Sequence, residues 1–235
     1  MVVFTACICA AAVQQPILAP ILIGGAYLKF KGMGHVQGLS FAGLCSDLSG
    51  GVTLSCATPL VGGVEADIII LVRKHIDTTA FNSSNNYILE DIALLTGKQA
   101  YKFEGKNNSA RPKNSLVVKD FSKGKVHTLD FLIFDDGPTT KLRLDELQDA
   151  SVCVFVKNKF KGATGNATWS IHGFHAGLSM TACEQDKFDE NTNGAWKVTL
   201  ASDPKSLEAQ WPLNVFITSA TATETLVNSL LTPAA

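Results

Sequence analysis

Charge is what this chain has least of. Only 17% of its 235 residues are Asp, Glu, Lys or Arg, and the opening stretch MVVFTACICAAAVQQPILAPILIGGAYL carries no charged side chain before Lys29. Twenty basic residues stand against 21 acidic ones, a formal net charge of -1. A duplex-binding protein clusters Lys and Arg on one face to displace counterions from phosphates, so this balance argues against sequence-specific nucleic-acid binding. Cysteine is dilute as well: Cys7, Cys9, Cys45, Cys56, Cys153 and Cys183 include no C-x-x-C pair, which removes zinc-ribbon and thioredoxin readings. Cys153 lies inside SVCVFV and Cys7 and Cys9 inside an apolar run, as small buried hydrophobes do. Reduced thiols and assembly inside a cell are the expectation. The N-x-[ST] triplets at Asn82, Asn107 and Asn166 carry no weight without evidence of secretion.

Complete enzymatic motifs are missing too. TGKQ has Ile92 five positions before Gly97 and Gln99 after Lys98, so it lacks the outer glycine and the magnesium-binding hydroxyl of a phosphate loop. GLSFAG is one residue too long for a nucleophile elbow, and GMGHVQG has the wrong glycine spacing for a dinucleotide turn. The chain reads as a non-enzyme with no cofactor. It shows no repeat of fixed period and no linker that forces a domain boundary.

The uncharged opening is the first positive feature. It lacks the basic n-region of a signal peptide, and Gln14, Gln15 and Pro16, then Pro20, Gly24 and Gly25, interrupt any membrane span. An apolar segment of this length is a large exposed patch unless it is covered, either by its own core or by a neighbouring subunit. Its Pro and Gly spacing favours an extended arm, with Val3, Phe4, Ile17, Leu18, Ile21, Leu22, Ile23 and Tyr27 as candidate assembly-interface residues. Residues 1–56 are read as this arm plus a Gly/Ser-rich segment, 57–220 as the body and 221–235 as a tail.

Within the body, ADIIILVRKHID carries a β-branched run from Ile68 to Val72, and YILEDIALLTGKQAYKFEG divides into two strands around Thr96 and Gly97. KNNSARPKNS reads as a polar loop. In KVHTLDFLIFDD, Leu129, Phe131 and Ile133 share one face against Thr128 and Asp130, the pattern of a half-buried strand. PTTKLRLDELQDA is the single expected helix, opened by Pro138 with Thr139 or Thr140 near its cap and with Leu144 and Leu147 on one face. SVCVFVKNKF is apolar on both faces, so it is central or meets a partner. Strands in GNATWSIHGF, GAWKVTLAS and WPLNVFITS complete a mainly β protein: an antiparallel sandwich or barrel with one short flanking α-helix and an extended N-terminal arm.

Three constellations invite chemistry. His172 and His175 in HGFHAG suggest a metal, but that spacing on an extended strand sends the two rings to opposite faces. Asp186, Asp189, Glu190 and Asn193 in DKFDENTNG lack the alternating ligands and closing Glu of a calcium loop and read as a solvated turn. Asp135 and Asp136 read as turn and helix-start residues, with no opposing acid placed by sequence. No metal is expected.

The segments ILEDIALLTGKQAYKFEGKNNSARPKNSLVV, ASVCVFVKNKFKGATGNATWSIHGFHAGLSMTACEQD, DENTNGAWKVTLASDP and WPLNVF, in that order, resemble virion structural proteins of tailed bacteriophages, especially those infecting Bacteroidetes. The resemblance spans about residues 57 to 218 and is nearest to a tail tube protein. It implies a β-sandwich or barrel with a flanking helix, assembled in the host bacterial cytoplasm into hexameric rings that stack in the virion tail around a DNA channel. The apolar arm then links one subunit or ring to the next. Strands of neighbouring bodies form a continuous lumen sheet with near-neutral or acidic side chains, past which DNA moves without specific binding. The long first segment departs from the simpler pattern and leaves a capsid, connector or decoration protein as the alternative. A rival of a different class is a carbohydrate-binding β-sandwich, suggested by Trp169, Trp196 and Trp211, although the first two alternate with polar residues as core residues do.

Overall fold

The computed structural model describes residues 50–53, 56–119 and 122–234. The arm residues Val3, Phe4, Ile17, Leu18, Ile21, Leu22, Ile23 and Tyr27, with Cys7, Cys9 and Cys45, lie outside the described residues.

Two strands that are apolar on both faces organise the body. Strand β1 (Val64–Val72) and strand β7 (Val152–Asn158) pair antiparallel, with Ile70 opposite Val154 and Val72 opposite Val152. Side chains alternate across a strand, so each of the two contributes to two cores. Ile68, Ile70, Val152, Val154 and Val156 face one core; Ile69, Leu71, Cys153 and Phe155 face the other. The two-sided apolar pattern of SVCVFV is thus satisfied within the chain itself.

The intervening strands are β2 (Ile76–Phe81), β3 (Ile88–Leu94), β4 (Tyr101–Phe103), β5 (Ala110–Lys119) and β6 (Ser122–Ile133). After β7 come β8 (Trp169–His172), β9 (Leu178–Gln185), β10 (Trp196–Ser202) and β11 (Leu213–Val215). Hydrogen bonding runs in the order β2-β3-β11-β8-β7-β9-β10-β6-β5, with β1 on the other edge of β7 and β4 beyond β1. A single pair, Val152 opposite Leu178, joins β7 to β9. The sheet folds over at that point. Leu129, Phe131 and Ile133 of β6, Val198 and Leu200 of β10 and Leu178 of β9 then pack on the inner faces of β1 and β7, giving the expected sandwich. All pairings are antiparallel except β11 with β3.

Two helices flank this sheet. Helix α1 (Pro138–Gln148) buries Leu144 and Leu147 against the inter-sheet core. Its N-cap is Gly137, which has no capping side chain; the Thr140 hydroxyl turns instead to the Asp135 carboxylate. Helix α2 (Ala220–Ser229) was not expected, because residues 221–235 read as a tail. Ser219 caps it by accepting from the Ala222 N–H, and Val227 with Leu230 closes the second core over Trp169, Ile171 and Val215. A second difference is β5, which contains most of the stretch read as a polar loop. Pro112 is tolerated there because β5 is an edge strand, where a missing N–H leaves no ladder bond unmade. Among the described residues no helix is long and apolar enough to cross a membrane.

Candidate functional site

The two histidines of HGFHAG do not share the one extended strand expected for them: β8 ends at His172, and His175 follows in the bend opened by the positive φ of Gly173. His172 ends β8 facing inward, 3% exposed, and its ring meets that of His127 from β6 edge-to-face at 5.6 Å. The ring of His175 instead contacts Phe174 at 5.1 Å and places Nε2 2.9 Å from Gln210 Oε1. His127 is fixed in one tautomer: Nδ1 accepts from the Gly173 N–H at 3.1 Å, leaving Nε2–H to donate to the Gln210 carbonyl at 3.1 Å. Burial pushes His127 down to about 4 and His172 down to about 3, so both are neutral imidazoles. Beside them, the buried Glu208 carboxylate accepts from the N–H groups of His175, Ala176 and Gly177 at 3.1, 2.9 and 3.2 Å. Gly173 and Gly177 have positive φ, which turns these N–H groups inward. The cluster clips the 203–212 segment to the sheet. Among the described residues no group of three or more His, Cys, Asp or Glu is placed to hold a metal ion.

The acidic loop spends its carboxylates locally. Asp186 accepts from the Phe188 N–H, and Asp189 from the Asn191 N–H and the Thr192 hydroxyl. Asp136 binds Lys187 at 2.6 Å, Lys141 at 3.3 Å and the Trp196 indole N–H at 3.2 Å. The Lys187 hydrogen bond is the main reason its carboxyl is held down to about 2. Trp169 is buried under α2 and donates to Glu224, which also pairs with Lys157 at 2.7 Å. Of the three tryptophans only Trp211 is exposed, so they form no common platform.

What remains open is the periphery. β2 closes one end of the hydrogen-bonding order and β5 the other, so each leaves a strand edge without a partner among the described residues. The outer half of β5 presents Leu116 at 51% and Val118 at 63% exposure. The segment after β10 holds this hairpin: Lys119 Nζ donates to the Pro204 carbonyl, Lys125 pairs with Glu208 through the backbone, and Gly124 lies against Leu207 so closely that a Cβ would stand 2.4 Å from it.

Among the described residues, one sheet face is free of helix. On β9, β10, β6 and β5 the outward residues include Glu184, Lys197, Thr199, Asp130, Thr128, Lys113 and Arg111, which follow one another across the register. Their charges pair within the face, Lys113 with Asp130 at 2.7 Å and Lys197 with Glu184 at 2.8 Å, and Thr199 donates to Asp130 at 2.8 Å. Finally, an apolar cleft of about 510 Å³ opens between β4, the end of β6 and α1. No family model matches the chain, and neither a curated protein nor a solved structure matches it.

Proposed function

We propose that the protein is a self-assembling structural subunit of a phage virion, a tail tube protein whose rings stack around the DNA channel. The observation that carries this reading is the pair of unpartnered edges, β2 and β5, at the two ends of one sheet. Joining β5 of one copy to β2 of the next is a head-to-tail contact, and such contacts generate closed rings when the rotation closes. It also removes these two exposed edges, which otherwise template aggregation. The resemblance in sequence supplies the virion context and the hexameric ring.

In this arrangement the β9-β10-β6-β5 face lines the lumen. Its lysines already have carboxylate partners, so DNA phosphates find little excess cation to hold them. Residues 2–28 contribute to higher assembly, not to the body's own core. Light scattering and negative-stain imaging of the purified chain test the reading. Rings or tubes are expected, and deleting residues 2–28 is expected to leave a folded body with no higher assembly. A monomer at every concentration overturns the proposal, and unfolding of the truncated chain removes the arm's assembly role.

A further inference from the structure

We infer that the cleft beside β4 is a docking slot for an extended strand, residues 17–23 of a second copy of this chain. The inference rests on the self-assembly reading, which supplies the second copy. The cleft is the unsealed end of the inter-sheet core, floored by Ile70, Val72, Phe103, Ile133, Leu147 and Val152. The cations of its rim are already paired: Lys102 holds Asp67 at 2.9 Å and Glu104 at 3.2 Å, and Arg143 holds Glu146 at 2.6 Å, while the Asp135 carboxylate takes the Thr140 hydroxyl. An anionic ligand therefore finds no free cation there, whereas an uncharged apolar one does not need one. The slot also offers backbone. Among the described residues β4 pairs with β1 along one edge and with no strand along the other, so an added strand gains main-chain hydrogen bonds as well as apolar contact.

The sequence PILAPILI suits that geometry on a specific count. Successive backbone N–H groups of a strand point to opposite edges, so Pro16 and Pro20, four apart, leave their missing donors on the same edge. Residues 17, 19, 21 and 23 keep every donor on the other edge. Such a strand can pair on one side only, adding to β4 and presenting the proline side outward, where it stops further addition. Ile17, Ala19, Ile21 and Ile23 share one face in this pose and fill the cleft.

Reach permits a second copy as well as the chain's own body, and the self-assembly reading supplies the second copy. The chain enters the body at Val64 and β1 then runs to the cleft, so docking onto its own body needs a return of about 30 Å, some ten residues. Residues 24–63 provide about forty, a contour of up to about 130 Å, against a body about 40 Å across.

The test places a photo-reactive benzophenone side chain at Arg143, on the exposed rim, in full-length protein. Particles are assembled from equal amounts of ¹⁴N- and ¹⁵N-labelled subunits. Irradiation is expected to join that position to peptides within residues 14–28, with about half of the joined pairs of mixed isotope. Ile21→Asp should leave the body's thermal midpoint unchanged and lower the mixed-isotope product about tenfold or more, since it buries an unpaired charge. Ring-forming particles that give no product with residues 14–28, or only same-isotope product, overturn the docking and leave the assembly reading standing. Protein that never assembles overturns both.

Discussion

Taking the protein from pH 7 to pH 5 is expected to remove a large part of its folding stability through His127 and His172. An ordinary histidine titrates at 6.5, whereas burial holds these two at about 4 and about 3. With the folded values depressed, the unfolded chain binds protons first, so stability is intact above pH 6.5 and falls as pH drops toward the folded values. At pH 5 an unfolded histidine is about 97% protonated and the folded sites about a tenth or less, which costs about 2 kcal/mol per site. The two rings lie 5.6 Å apart, so a second charge is harder to place than the first. The geometry explains the resistance: a proton on His127 Nδ1 would face the Gly173 N–H that now donates to it. His75, also held below 6.5 by burial, acts in the same direction. Asp67, Asp130 and Asp136 do not confuse the window, because carboxyls depressed below 3.8 lose their contribution only as pH falls below about 4. Urea unfolding at pH 7 and pH 5, followed by tryptophan fluorescence, measures the loss. His172→Phe should cut it by about half, close to 2 kcal/mol. Equal stability at both pH values, or an undiminished loss in the variant, would refute the reasoning.

Glu208→Gln replaces an acceptor of three N–H groups by an amide whose NH₂ opposes one of them, and should cost about 1–3 kcal/mol in urea unfolding. An unchanged midpoint would remove the carboxylate from the clip. Leu116→Lys with Val118→Lys should shift stability by no more than about 0.5 kcal/mol, because both side chains are exposed, yet abolish rings in light scattering. Retained rings would exclude the outer half of β5 from the contact. Asp130→Lys with Glu184→Lys turns the open face cationic, so salt-dependent retention of a duplex should appear in fluorescence anisotropy where the unaltered protein shows little. Identical binding by both would place that face away from DNA.

The strands with the plainest alternation were legible from sequence. Leu129, Phe131 and Ile133 turn inward as their spacing requires, and the two-sided run of β7 is central. The same period places His127 on the inward face with Leu129, two residues on, where it is buried. Helix α2 was harder to see because Ala and Thr dominate ATATETLVNS, although Thr223, Val227 and Leu230 keep a helical spacing and Ser219 stands at the cap. β5 was hidden by Pro112, Asn114 and Ser115, turn-forming residues that an edge strand accepts. The Glu208 cluster joins residues 127, 173–177 and 208–210, and no local pattern announces contacts made by the third dimension alone. Of the open surfaces, the paired charges of β10 and β6 depend on register and became visible only with it.

Three residues, Leu213–Val215, lie between β3 and β8 and bridge a stretch of sheet otherwise built far earlier in the chain. On a ribosome, the β2-β3 hairpin must wait for this late insertion before it can join the sheet, and Trp169 stays uncovered until α2 follows. Chains that stop short of this point cannot complete the sheet. The last strand and helix of the chain therefore complete both the sheet and the second core.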